Sequence, residues 1–128
     1  METPHKGKTG FIRLWNAFKY SADGLKAAYK AEAAFRQELF MALVLLPLAL
    51  WLPVAPTERA VLMGSVFLVL VVELLNSAVE AVVDRVSLEN HPLSKRAKDI
   101  GSAAVLLALM MMAAVWASIL LPRFGFLG

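Results

Sequence analysis

The chain has 128 residues, no cysteine, a formal net charge of +3 and 59% hydrophobic residues, where soluble domains carry roughly 45–50%. That composition excludes a disulfide framework, a cysteine-based zinc site and a thiol nucleophile, and its length suits one small membrane domain over residues 1–128. The basic residues gather near the ends of apolar segments, which speaks of membrane topology and against nucleic acid as a partner.

Residues 10–34 predict an amphipathic helix lying in the membrane interface. Phe11, Trp15, Phe18, Ala22, Leu25 and Tyr29 recur at alternating spacings of four and three and form one apolar stripe, with Lys19, Lys26 and Lys30 along its flank, placed to reach headgroups. Gly10 and Gly24 weaken the helix locally, and such a helix also serves merely as an anchor. Glu32 arrives near its end, on the opposite flank, at the membrane surface. The segment before it is too charged for a signal peptide, since the first long apolar run begins at Leu39. Gly7-Lys8-Thr9 lacks the earlier glycine and the preceding strand that a phosphate loop needs.

Residues 35–54 predict the first membrane span. The stretch 39–57 carries no charge and is about as long as the hydrocarbon is thick. Pro47 predicts a kink that neighbouring helices tolerate; Trp51 and Pro53 mark an interface and an exit, and 53–59 a short loop. Residues 58–86 predict the second span. It is apolar without a break over 60–72, and then Glu73, Asn76, Ser77, Glu80 and Asp84 fall on one narrow stripe at about 100° per residue. Residues 99–121 predict the third, opened by Gly101-Ser102-Ala103-Ala104, small residues that let helices approach closely.

Lys and Arg set the orientation. Lys6, Lys8, Arg13, Lys19, Lys26, Lys30 and Arg36 precede the first span, and Arg85, Lys95, Arg96 and Lys98 lie between the second and third. The first loop has only Arg59 and the C-terminal end only Arg123. The positive-inside rule therefore puts the N-terminus and the loop 86–99 in the cytoplasm.

Descending about 1.5 Å per residue from Thr57, the second span reaches the cytoplasmic interface near Asn76 or Ser77. Glu73 then lies just inside the hydrocarbon, Glu80 at headgroup depth and Asp84 in or near water. Ionisable groups at these depths usually line a bundle interior, a cavity or a reaction site. Glu73 is placed to act as a general base, while Glu80 and Glu32 offer the hard oxygen ligands that Mg2+ prefers. A lipid-depth base beside water-level metal ligands is what a reaction between a lipid and a soluble phosphate donor requires. The same stripe also fits polar contacts that hold helices together, or a small cation or proton pathway. The charge-free stretches 60–72 and 100–121 give a pathway no continuation through the outer half, and a non-catalytic assembly subunit leaves the acids and Lys98-Asp99 without a purpose. Neither protein-kinase signature is present, and His5 and His91 are too isolated for a transition-metal site.

At Glu32-Ala-Ala-Phe-Arg-Gln-Glu38, at Glu73-Leu-Leu-Asn-Ser-Ala-Val-Glu80-Ala-Val-Val-Asp84-Arg85 and at Ala97-Lys-Asp-Ile-Gly-Ser-Ala-Ala104, the sequence resembles the prokaryotic integral-membrane diacylglycerol kinase family, which also includes undecaprenol kinases. Tyr20-Ser21 and Gly24-Leu25 extend the resemblance over nearly the whole chain, whereas Ala22-Asp23 departs from the aromatic-basic pair expected there. The resemblance implies an all-α membrane fold: a homotrimer of three-span subunits, each with a surface helix, sharing composite active sites in the bacterial inner membrane. It implies phosphoryl transfer from MgATP to the hydroxyl of diacylglycerol, giving phosphatidic acid, with undecaprenol as the alternative lipid. Glu73 is then the general base supported by Asn76, and Glu32 and Glu80 are the metal-binding acids. Arg13, Tyr20, Glu32, Glu80, Glu89, Asn90, His91, Lys98 and Asp99 fall where the family contacts ATP. Arg13, Glu73, Ser102 and Trp116 fall on the side of the lipid substrate.

Overall fold

The computed structural model describes residues 10–86 and 90–125, and every element among them is an α-helix: α1 (Gly10–Ala31), α2 (Ala33–Trp51), α3 (Pro56–Val86) and α4 (Pro92–Arg123). The chain forms two units, residues 1–33 and 34–128, which are described separately.

In the first unit, α1 runs through Gly24 without interruption and opens at Gly10 with φ of 56°, a left-handed conformation that glycine adopts without strain. Phe11, Trp15, Phe18, Leu25 and Tyr29 all lie exposed along it. The helix predicted for 10–34 stops short at Ala31. Glu32 stands outside both helices, its N–H still reaching Ala28 O at 2.9 Å, and α2 starts afresh at Ala33. No proline or glycine flags this joint, because Ala31, Glu32 and Ala33 are all good helix formers.

In the second unit, α2, α3 and α4 make a three-helix bundle. The buried side chains of α2 are Phe35, Glu38, Ala42 and Ala49, a single seam at helical spacing, and its small alanines allow close approach. The helix continues through Pro47. On α3 the buried seam is Leu62, Ser65, Val66, Val69, Glu73 and Asn76. Contacts between α3 and α4 fix an antiparallel register from end to end: Glu58 pairs with Arg123, Trp116 Nε1 donates to Leu62 O at 3.3 Å, Asn76 faces Gly101, and Asp84 meets Lys98 at 2.6 Å. The apolar core gathers at the Leu62 end, where Ala42, Ala49, Leu52, Val54, Leu62, Val66 and Trp116 pack together. The buried Glu38, Glu73 and Asn76 lie toward the other end.

The α2–α3 turn is shorter than the predicted loop 53–59, because Pro56 begins α3 at the position where a missing N–H costs nothing. Glu58 folds back to accept the Ala55 N–H at 2.9 Å, and the Arg59 guanidinium donates to the carbonyls of Leu50, Leu52 and Val54 at 2.8–3.2 Å, satisfying the chain end of α2. The helix α4 reaches beyond the predicted span at its N-terminal end. It begins at Pro92, not near residue 99, so most of what the sequence presents as a loop is helix. His91 caps it, its Nδ1 accepting the Leu93 N–H at 3.0 Å, and Pro92 supplies the preset first turn.

The helices α2, α3 and α4 are each long and apolar enough to cross a membrane. With 31 residues α3 extends about 46 Å, more than the roughly 30 Å of a hydrocarbon core, so about ten residues of it lie beyond the lipid. Phe40, Leu43, Phe67, Val71, Leu75, Leu106, Leu107 and Met110 face outward, an exterior suited to lipid or to neighbouring helices rather than to water.

Candidate active site

The inner half of α3 turns from apolar to polar along one face. Glu73 and Asn76 are buried at 3% and 8% exposure, Glu80 is half-buried and Asp84 is exposed. Helical spacing alone puts these residues in a column; the neighbouring helices decide which of them are sealed.

Three contacts build the site. Asn76 Nδ2 donates to Glu80 Oε1 at 3.2 Å, tying the buried amide to the next carboxylate one turn along. Gly101 of α4 packs against Asn76 so closely that a methyl group in place of its hydrogen would overlap Oδ1 and lie 3.1 Å from Cγ. From α2, the buried Glu38 lies close to Glu73. Among the described residues, three buried polar atoms have no hydrogen-bond partner: Glu38 Oε2, Asn76 Oδ1 and Ser77 Oγ. All lie within about one helical turn of Glu38 or Glu73, and unsatisfied buried groups are rare enough in native folds that each calls for an explanation, a catalytic role among them. At the water end, Lys98 pairs with Asp84 and Lys95 with Asp99, each at 2.6 Å.

Glu73, Asn76, Glu80, Lys98 and Asp99 therefore share the polar half of the bundle. Asn90 precedes α4 and is exposed, and His91 spends its Nδ1 on the helix cap. Arg13, Tyr20 and Glu32 belong to the separate first unit, and Glu89 lies outside the described residues. Ser102 is exposed on α4. Trp116 is 9% exposed, its Nε1 held to Leu62 O, some 16 Å along α3 from Glu73 by helical rise. Among the described residues no three acids or histidines gather as a closed metal cluster.

Glu38 and Gly101 were not singled out as site residues by sequence reasoning. The available signal for Glu38 was its register with Phe35 and Ala42, which puts it on the bundle-facing side of α2.

The model of the prokaryotic diacylglycerol kinase family matches residues 19–120. The chain belongs to this family. The family match takes in every residue of the polar half just described and omits Arg13. The chain is similar to the diacylglycerol kinase of Pseudomonas aeruginosa, 55% identical over 119 residues, 93% of this chain and 97% of that protein. It is similar to the diacylglycerol kinase of Escherichia coli K12 at 51% over 117 residues, 91% of this chain and 96% of that one. With the diacylglycerol kinase of Haemophilus influenzae the identity is 52% over 112 residues, 88% and 95% of the two chains.

Proposed function

We propose that this protein is a membrane lipid kinase that transfers the γ-phosphate of MgATP to the hydroxyl of diacylglycerol, giving phosphatidic acid and ADP. The observation that carries this reading is the graded face of α3: a buried Glu73, an Asn76–Glu80 hydrogen bond one turn further, and an Asp84–Lys98 ion pair in the open. One helix face thus leads from lipid depth to water, the path that joins a lipid hydroxyl to a soluble nucleotide.

Glu73 is the general base. It removes the proton as the lipid oxygen forms its bond to the γ-phosphorus and the bond from that phosphorus to the bridging oxygen of ADP breaks. Asn76 holds Glu80 in place and is itself held by Gly101. Glu80 and Glu32 are the residues that would hold Mg2+. The donor set fits, because Mg2+ commonly takes one or two carboxylates and completes its shell with phosphate oxygens and water. When bound, the ion neutralises charge on the transferring phosphoryl group. Lys98, Asp99, Asn90, His91, Glu89, Tyr20 and Arg13 contact the nucleotide, and Arg13, Ser102 and Trp116 border the lipid.

In this reading α1 lies in the membrane interface with its exposed aromatic stripe toward lipid, and the N-terminus is cytoplasmic in the bacterial inner membrane. Three copies assemble, so that Glu32 of one subunit meets Glu73 and Glu80 of the next. A proton or cation pathway finds less support: the seam of α3 beyond Glu73 is Val69, Val66, Ser65 and Leu62, which offers one hydroxyl and no ionisable group.

The test is ATP-dependent phosphorylation of a panel of lipid alcohols, diacylglycerol and undecaprenol among them, in mixed micelles, with wild type and Glu73→Gln. Diacylglycerol is the expected substrate. Glu73→Gln keeps the shape and removes the base, so kcat should fall by about 10²-fold or more with the KM for ATP little changed. A variant retaining more than about a tenth of wild-type kcat refutes the assignment of the base.

A further inference from the structure

Asp84 closes the polar face of α3, and the transfer scheme above gives it no task. It stands one helical turn, about 6 Å, outward from Glu80, at the end of the column that begins with the buried Glu73. Its Oδ1 lies 2.6 Å from Lys98 Nζ, a contact that crosses from α3 to α4. The direction of that reach follows from the backbone. Helical side chains lean toward their own N-terminus, and in this antiparallel pair the N-terminal end of α4 lies beside the C-terminal end of α3. Lys98 therefore leans outward, past Glu80, and meets Asp84. The ammonium of Lys95, one turn earlier on α4, is engaged by Asp99 at 2.6 Å. The side chains of Lys98 and Asp84 are 44% and 58% exposed, and ion pairs this open to water contribute little to stability. Stability alone is a poor reason for an acid at this position.

We propose that Asp84 is a positioning residue for Lys98: its carboxylate holds the ammonium one turn outward of Glu80, where it meets the phosphates of the incoming nucleotide. This rests on the reading of Lys98 as a nucleotide contact. Lysine is a flexible four-carbon stem ending in three N–H donors; one donor on Asp84 fixes the stem and leaves two for phosphate oxygens. A side chain ordered before the nucleotide arrives does not have to be ordered by it. The same geometry fixes the place of the grip. Glu73 requires the γ-phosphate at lipid depth, and Glu80 lies between, so an ammonium outward of Glu80 meets the nucleotide on its ADP side. Lys98 then serves the binding of ATP more than the breaking of the γ-phosphate bond. The sign of the effect separates positioning from bare charge. A carboxylate that only added negative charge would repel an anionic nucleotide, and its loss would tighten binding. A carboxylate that aims Lys98 does the opposite.

The experiment measures kcat and KM for MgATP, with diacylglycerol in mixed micelles, for wild type, Asp84→Asn, Asp84→Glu, Lys98→Met and the double variant Asp84→Asn with Lys98→Met. Thermal unfolding in detergent reports on the fold and should not separate Asp84→Asn from wild type. Asp84→Asn should raise the KM for ATP about 2- to 12-fold, the range for ordering one flexible side chain on binding, with kcat within a few-fold of wild type. Asp84→Glu keeps the carboxylate and should recover most of that loss. In the Lys98→Met background Asp84→Asn should raise the KM no further, because the group it positions is gone. The proposal is overturned if Asp84→Asn lowers the KM or leaves it unchanged, if Asp84→Glu is no better than Asp84→Asn, or if the increment persists undiminished beside Lys98→Met. A wild-type KM in Lys98→Met removes Lys98 from the nucleotide and the role of Asp84 with it. A raised KM in Lys98→Met beside a wild-type KM in Asp84→Asn removes only the role of Asp84.

Discussion

Replacing Gly101 by alanine should disable the enzyme more than it destabilises the bundle, because the added methyl collides with one side chain only. The nearest atoms to that methyl are Oδ1, Cγ and Cβ of Asn76; the backbone of α3 is not among them. In a helix interior the change from glycine to alanine is worth about 0.5–1 kcal/mol of stability. Overpacking of this kind costs about 1–3 kcal/mol, so the net loss for Gly101→Ala is about 0–2.5 kcal/mol. Asn76 is 8% exposed and cannot swing into water; it escapes by rotating, which breaks its 3.2 Å bond to Glu80 and unsettles the site. Activity in mixed micelles should therefore drop even where unfolding in detergent shows a nearly intact protein. The decisive comparison is a double-mutant cycle with Asn76→Ala, which removes everything the methyl strikes. In that background Gly101→Ala should become neutral or stabilising, leaving a coupling of about 1–3 kcal/mol between the two positions. Additive effects, with Gly101→Ala costing the same in both backgrounds, would show that the helices do not approach each other at this pair.

Two further outcomes are expected. Glu32→Gln and Glu80→Gln each exchange a hard anionic ligand for an amide and should raise the Mg2+ concentration giving half-maximal rate; unchanged titrations in both would remove them from the metal site. Mixing inactive Glu32→Gln with inactive Glu73→Gln, after unfolding and reassembly in detergent, should restore partial activity, since some interfaces then pair an intact Glu32 with a neighbour's intact Glu73; a mixture shown to exchange subunits yet remaining dead places both residues in one subunit's site.

The residues that carry the candidate site were visible before any fold was known, for a simple reason. Acids are costly inside a long apolar helix, so Glu73, Asn76, Glu80 and Asp84 stand out, and helical spacing puts them in line. What misled was the loop 86–99: its charges suggest solvent, yet charge does not oppose a helix. The capping pair His91 and Pro92, with Lys95 and Asp99 one turn apart, was the local signal that α4 starts early. The joint at Glu32 had no local signal at all.

Composition and periodicity alone determined that three helices can span a membrane and that the acids crowd toward one end of the second, since both are properties of a single helix in a given solvent. The tertiary structure decided what those acids meet. Whether Glu73 faces Glu38, and whether Asn76 touches Gly101 or the residue a turn away, depends on the vertical offset and rotation of one helix against its neighbour. Those are set by the packing of Ala42 and Ala49, of Leu62 with Trp116, and of Glu58 with Arg123. A helix carries no record of that offset in its own pattern, because sliding its partner by a turn leaves every local spacing unchanged while exchanging every contact.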